Sequence, residues 1–313
     1  MTVPFPWQRR AALAWLLCFA VVFSARADSV TLFPSADCTL FELVPSNSLG
    51  GVTWISAGTT QNGNTNRALM KFDVAAAVPA GSTITDVGLK VWVTRTPVDG
   101  NADSLFSLRR VLRPWNEGSN LPADPNYPGL GGPAAPGDAT WIHNAFGESA
   151  WTIPGGQEGI DFAAGFSSST FIGGITAEGY FFESGGAIAD VQSWLDDPSS
   201  NFGWMLKTEE EDVNFTARRF GSRELGDPFE SPQLTISYLP PLLITNVHVI
   251  SNRLSLTFNA DLGYPYRVES RAEAGGTNAW TTLTNLGLVL TSGPRTVTDA
   301  LTNAQRFYRV RRN

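Results

Sequence analysis

Two cysteines, two histidines and three methionines are all that the 313 residues contain, and only 16% of the residues are charged. So little Cys and His excludes a disulfide scaffold and leaves few ligands for a zinc module. Low charge with 42% hydrophobic residues excludes a disordered chain. Basic residues are scarce as well. With 22 Lys+Arg against 29 Asp+Glu, wrapping nucleic acid is not the main task. The apolar run Ala11–Phe23 has 13 residues, too short to span a bilayer, and no later segment is long and apolar enough. What is plentiful is Gly (30), Pro (20), Phe (19) and Trp (10), with many short β-branched runs, a composition of strands and turns.

The opening segment reads as an address. Arg9-Arg10, the apolar run and Ala25-Arg26-Ala27 match an export signal cleaved after Ala27. Leu17 before Cys18 is too bulky for lipid attachment at that cysteine. Removing residues 1–27 takes away three arginines and no acid, so the exported chain carries 19 − 29 = −10 and one thiol, Cys38. One cysteine makes no internal disulfide, so stability has to come from a core. Cys38 lies in a strand-like run and reads as a small buried hydrophobe.

Period-two alternation recurs in Ala68–Val74, Val87–Thr94 and Leu234–Tyr238, bounded by Gly, Pro, Asn and Ser, which marks half-buried antiparallel strands. One segment departs from it: Ile188, Val191, Trp194 and Leu195 follow a helical period and end at Asp196-Asp197-Pro198. Leu239-Pro240-Pro241 ends the first module, since proline cannot continue a ladder. Beyond it, six strand-like runs fall between Ile244 and Val310. The expected fold is all-β: a jelly-roll β-sandwich with one short helix over 28–239, then a small immunoglobulin- or fibronectin type III-like β-sandwich over 242–313. Charge divides the same way. Residues 28–239 carry 11 basic and 25 acidic side chains (−14), and residues 240–313 carry 8 and 4 (+4).

Several motifs stand in order along the first module: Asn66-Arg67-Ala68-Leu69-Met70-Lys71-Phe72-Asp73, Trp115-Asn116-Glu117-Gly118, Gly137-Asp138-Ala139-Thr140-Trp141, Asn201-Phe202-Gly203-Trp204 and Arg219-Phe220-Gly221-Ser222-Arg223-Glu224. With Pro232–Tyr238 at the end, this set resembles the DNRLRE-domain family, some of whose members are classed as carbohydrate-binding module family 96. The resemblance implies an exported bacterial β-sandwich that binds polysaccharide, particularly acidic glycans such as alginate.

Two groups of residues are candidates for ligand binding. Lys71, Lys90 and Trp92 point away from the apolar positions of their strands, and would form an outward cation–aromatic patch if those strands are neighbours. The alternative is that a loop or helix covers Trp92. Between Asn116 and Asp138 lie five prolines and no strand pattern, a segment long enough to be functional. Around it stand Trp115, Tyr127, Trp141 and Trp151, which either stack on a sugar chain or fill a satellite core beneath the loop. Asp99-Gly100-Asn101-Ala102-Asp103 alternates oxygen donors, but Arg110 stands twelfth where a calcium loop needs a bidentate Glu. No cofactor is expected, and structural Ca2+ stays open.

His143 and His248 sit in different modules, and no nucleophile elbow, zinc-protease or phosphate-loop motif occurs. The expected function is a secreted, non-catalytic protein with a polysaccharide-binding module, the sugar acidic or neutral. The alternative is a structural or adhesive extracellular matrix or surface protein contacting other surface proteins. Nucleic-acid binding and membrane insertion are not expected.

Overall fold

A computed structural model describes residues 28–272, 280–302 and 305–312. The expected export signal, residues 1–27, lies outside them. Two compact units divide the chain, one within Ala27–Pro241 and the other from Leu242 onward. Among the described residues no helix is long and apolar enough to cross a membrane.

The first unit runs β1 (Asp28–Leu32), β2 (Ala36–Phe41), β3 (Asn47–Ser48), β4 (Trp54–Thr59), β5 (Thr65–Lys71), α1 (Val74–Ala77), β6 (Thr83–Arg95) and β7 (Ser104–Arg110). It continues with β8 (Gly132–Pro133), β9 (His143–Ala145), β10 (Ser149–Ala150), β11 (Ser168–Ile172), β12 (Glu178–Glu183), α2 (Gly185–Asp196), β13 (Trp204–Thr208), β14 (Arg218–Gly221) and β15 (Gln233–Leu239). The main sheet has the order β1-β15-β6-β14-β4-β5-β13-β7-β11, with β12 on β6 and β2 on β5, all antiparallel. Strands β4 and β5 share only two residue pairs, Gly58 with Asn66 and Thr59 with Thr65. The sheet therefore folds over at that corner into two layers. One core lies between them: Val87, Leu89, Val91 and Val93 of β6 and Leu234 and Ile236 of β15 belong to the same cluster as Ala68 and Met70 of β5 and Trp204 and Leu206 of β13. The alternation read in the sequence is this inward face.

The helix α2 begins where Ser184 caps the amide of Ala187 and stops before Pro198. Its Ala187, Val191, Trp194 and Leu195 join the core, and Trp194 packs 4.6 Å from Trp204. The sequence expectation of one helix is met, apart from the single turn α1. That turn forms because Asp73 caps Ala76, so the period-two pattern of Ala68–Val74 leaves the ladder after Lys71.

The layer containing β2, β5 and β13 is buried on both faces. Cys38, Leu40, Leu69 and Met205 point away from the central core into a second cluster with Val111, Trp115, Ala139, Trp141, Trp151 and Phe162. The stretch between Asn116 and Asp138, read above as lacking strand pattern, thus belongs to a covering layer that spans residues 111–162. This is why β13 shows no exposed face: all five of its residues are buried.

The second unit contains β16 (Ile244–Ile250), β17 (Arg253–Ala260), β18 (Pro265–Arg271), β19 (Thr281–Leu288), β20 (Gly293–Ala300) and β21 (Phe307–Arg312). They form two three-stranded antiparallel sheets, β16-β17-β20 and β19-β18-β21, around Leu256, Phe258, Tyr266, Val268 and Val297. This is the small sandwich the six runs foretold.

Candidate ligand groove

The structure separates the first set of sequence candidates. Two strands, β14 and β4, stand between β6 and β5, so Lys71 is not beside Lys90 and Trp92. Lys90 and Trp92 do share the outer face of β6, and the ammonium lies 4.9 Å from the indole centroid. That ammonium also donates to Phe229 O at 2.8 Å. Trp92 is half-buried, with Lys90 against it, Gly179 opposite it across the pair with β12, and its Nε1 out of solvent. It is not an open stacking face.

Three members of the second set are core. Trp115, Trp141 and Trp151 retain 7%, 7% and 4% of their exposure. Trp115 Nε1 donates to Phe202 O at 2.7 Å and Trp151 Nε1 to Thr140 O at 2.9 Å, so both indole donors are used internally. Trp141 is held between the Arg67 guanidinium, 5.1 Å from its centroid, and Gly155, where a Cβ would lie 2.7 Å from the indole. Arg67 is fixed in turn by Glu211 at 2.8 Å, so the acidic run Glu209–Asp212 serves an internal ion pair as well as solvent. These rings lack the free faces a sugar needs because the apolar outer side of β2, β5 and β13 needs them more. Trp151→Phe is expected to cost about 1–2 kcal/mol by orphaning Thr140 O. Urea denaturation would measure that loss, and glycan affinity should not change.

Tyr127 is different. It is 63% exposed, on a segment that is firmly pinned. Asn47 Nδ2 donates to Leu130 O at 2.7 Å, Ala123 N to Gly131 O at 2.9 Å, and the Asp138 carboxylate receives Ser48 Oγ, Asn120 Nδ2 and Ala135 N. So anchored, Tyr127 forms one wall of a groove.

Two adjoining hollows of about 230 and 280 Å³ share Phe41, Thr60, Gln61, Asn66 and Gly129 and make up this groove. Its floor follows from the strand register. Ile55 and Ala57 of β4 and Phe220 of β14 point into the core, so Trp54, Ser56 and Arg219 point outward. Arg219 pairs across the sheet with Ser56 on one side and Arg95 on the other. Its guanidinium stacks 3.8 Å over the Trp54 ring. On the far side the β4–β5 turn contributes Gln61, Asn62 and Asn64, whose side chains make no hydrogen bond within the described residues. A Cβ on Gly129 would stand 3.5 Å from Arg219 Nη2, which places the Tyr127 segment against the arginine.

The electrostatics of the groove run against those of the module. Arg67, Arg109, Arg110, Arg113, Lys207 and Arg223 each have a carboxylate partner. Arg218 spends its guanidinium on the carbonyls of Gly173, Phe215, Ala217 and Ala102. Arg95 and Arg219, by contrast, have no acidic partner among the described residues and stand beside each other. Burial, with Arg95 close by, lowers Arg219 to about 10, so it stays charged at neutral pH. No Asp, Glu or His lines either hollow. Trp54, Arg95, Arg219 and the three amides were not singled out in the sequence; the only hint was that Arg219 opens one of the ordered motifs, and Asn62-Gly63-Asn64 reads simply as a turn. No protein-family model matches this chain, and no curated protein matches it.

Proposed function

We propose that the chain is an exported, non-catalytic polysaccharide-binding protein whose first module holds an acidic glycan in this groove. The observation that carries the reading is the Arg95–Arg219 pair, two guanidinium groups left without a carboxylate in a module of 25 acids, beside a stacked Trp54 and an exposed Tyr127. A sugar carboxylate or sulfate fits that pair through charge-assisted hydrogen bonds, which the fork of arginine favours. The ring of Tyr127 offers an apolar face to the sugar, and Gln61, Asn62 and Asn64 offer donors and acceptors to its hydroxyls. The resemblance to DNRLRE domains agrees with this assignment, with the second unit acting as a spacer or adhesion module.

A binding role suits a groove without carboxylates, since hydrolysis of a glycosidic bond ordinarily needs two. A glycan array spanning uronate-rich, sulfated and neutral polysaccharides, run with and without calcium, tests the proposal. Binding is expected to acidic members, weaker at high salt, without release of new reducing ends or unsaturated products. Uniform silence, or preference for neutral chains, would count against it, and silence would favour the structural or adhesive alternative. Tyr127→Ala is expected to weaken binding about 5- to 10-fold through loss of ring stacking. Titration calorimetry with the best polysaccharide measures this.

A further inference from the structure

Three acids that the groove does not use come together near the end of β14. Asp37 belongs to β2, Glu117 follows β7, and Glu224 sits in the turn after β14. One carboxylate oxygen from each lies within 4.8 Å of the other two. Asp37 and Glu117 are buried and Glu224 is half-buried. One cation stands among them. Arg223 Nε is 2.8 Å from Glu117 Oε1 and 2.8 Å from Glu224 Oε1. Backbone amides complete part of the shell: Asp37 N donates to Glu117 Oε1, and Arg223 N donates to Asp37 Oδ2, both at 2.8 Å.

One atom is left over. Asp37 Oδ1 is out of solvent, on a residue 1% exposed, and has no hydrogen-bond partner. A buried carboxylate oxygen without a partner is costly, and more so beside two other acids. Three carboxylates against one arginine leave a formal charge of −2, which a divalent cation would cancel. The donors are all oxygens, which suits a hard cation and not zinc. Coordination habit distinguishes the hard cations: calcium accepts about six to eight oxygens in a flexible shell, whereas magnesium demands near-ideal octahedral geometry and keeps several waters, so carboxylates brought together from three separate segments suit calcium.

We propose that Asp37, Glu117 and Glu224 bind a calcium ion that ties β2, the segment after β7 and the turn after β14 together. In a chain with a single cysteine outside the expected export signal, this is a cross-link of the kind that disulfides give other exported proteins. The site lies close to the groove without being part of it: Gly221 pairs with Trp54, and Ser222 Oγ donates to Val52 O at 2.6 Å.

The test needs no glycan. The full chain is stripped with EDTA, exchanged into chelator-free buffer and titrated with CaCl2, and with MgCl2 in parallel, by calorimetry and thermal unfolding. Calcium at about a hundredfold excess over its Kd is expected to raise the Tm by about 5 °C or more, at one ion per chain, with a smaller shift from magnesium. Glu224→Gln and Asp37→Asn are each expected to weaken calcium binding at least about tenfold and so to cut the shift by about half or more. Asp86→Asn, an exposed acid elsewhere, should leave it intact. No calcium effect in the wild-type chain overturns the proposal, and so does an undiminished effect in the variants, which would put the ion elsewhere. Should Asp37→Asn fail to fold, the more exposed Glu224→Gln decides.

Discussion

Arg219→Ala is expected to lower affinity for an acidic polysaccharide by about 100-fold, without lowering the stability of the fold. The first half follows from what the guanidinium does: it supplies charge-assisted hydrogen bonds worth about 1.5–3 kcal/mol and keeps the Trp54 face in place. The second half follows from what it lacks. With no carboxylate to lose, and with Arg95 as a like-charged neighbour, removing it relieves repulsion. An arginine retained for structure would behave in the opposite way. Arg219→Lys keeps the charge and loses the planar fork, so it should recover only part of the affinity. Calorimetry at low salt, with circular dichroism as the check on folding, reads both halves. Binding within about threefold of the wild type would remove Arg219 from the site.

For stability the largest effect is expected at Trp204. Its side chain is fully buried between Trp194 at 4.6 Å and Phe72 at 6.2 Å, and its Nε1 donates to Asp190 Oδ2 at 2.8 Å. Trp204→Ala opens a cavity in the central core, a change that typically costs about 3–5 kcal/mol. It also strips Asp190, itself buried, of one donor, which leaves Ser167 Oγ and the more distant Arg110. The total approaches the whole stability of an ordinary domain. Trp204→Phe keeps most of the volume and loses the donor, so it should fall between. Urea unfolding followed by tryptophan fluorescence distinguishes the three; a loss under about 1 kcal/mol for the alanine variant would contradict this packing.

The strands and the helix were legible because burial on one face imposes a period. The β6 run Val87–Val93 and the α2 stripe through Trp194 point where their spacing says. Sheet order is not carried by period. Nothing in Lys71 or Lys90 tells that β14 and β4 will lie between their strands, and so the outward patch dissolved. Of the two readings open for the tryptophans around the proline-rich segment, Trp115, Trp141 and Trp151 follow the satellite core, for a related reason. Loops usually leave a sheet's outer face to solvent, but here the outer face of β2, β5 and β13 is apolar, and the segment is needed to cover it. Leu40, Leu69 and Met205 were the available signal, because they make those strands hydrophobic at both phases of the alternation. The groove was hidden by the same limit. Trp54, Arg95 and Arg219 come from three strands, and only the register of β14 against β4 and β6 sets them side by side.

The two-sided burial of that layer bears on how the protein is made and how long it lasts. As the chain emerges from its N-terminus, β2 and β5 appear with both surfaces bare; their lid is synthesised later, and β13 later still. Assembly therefore waits on closures between distant stretches, which slows it and lengthens the time an apolar ribbon is open to aggregation. The same geometry acts in reverse. To come apart, the layer has to shed cover from both sides together, so persistence is expected to be governed by a high barrier to opening more than by a large equilibrium margin.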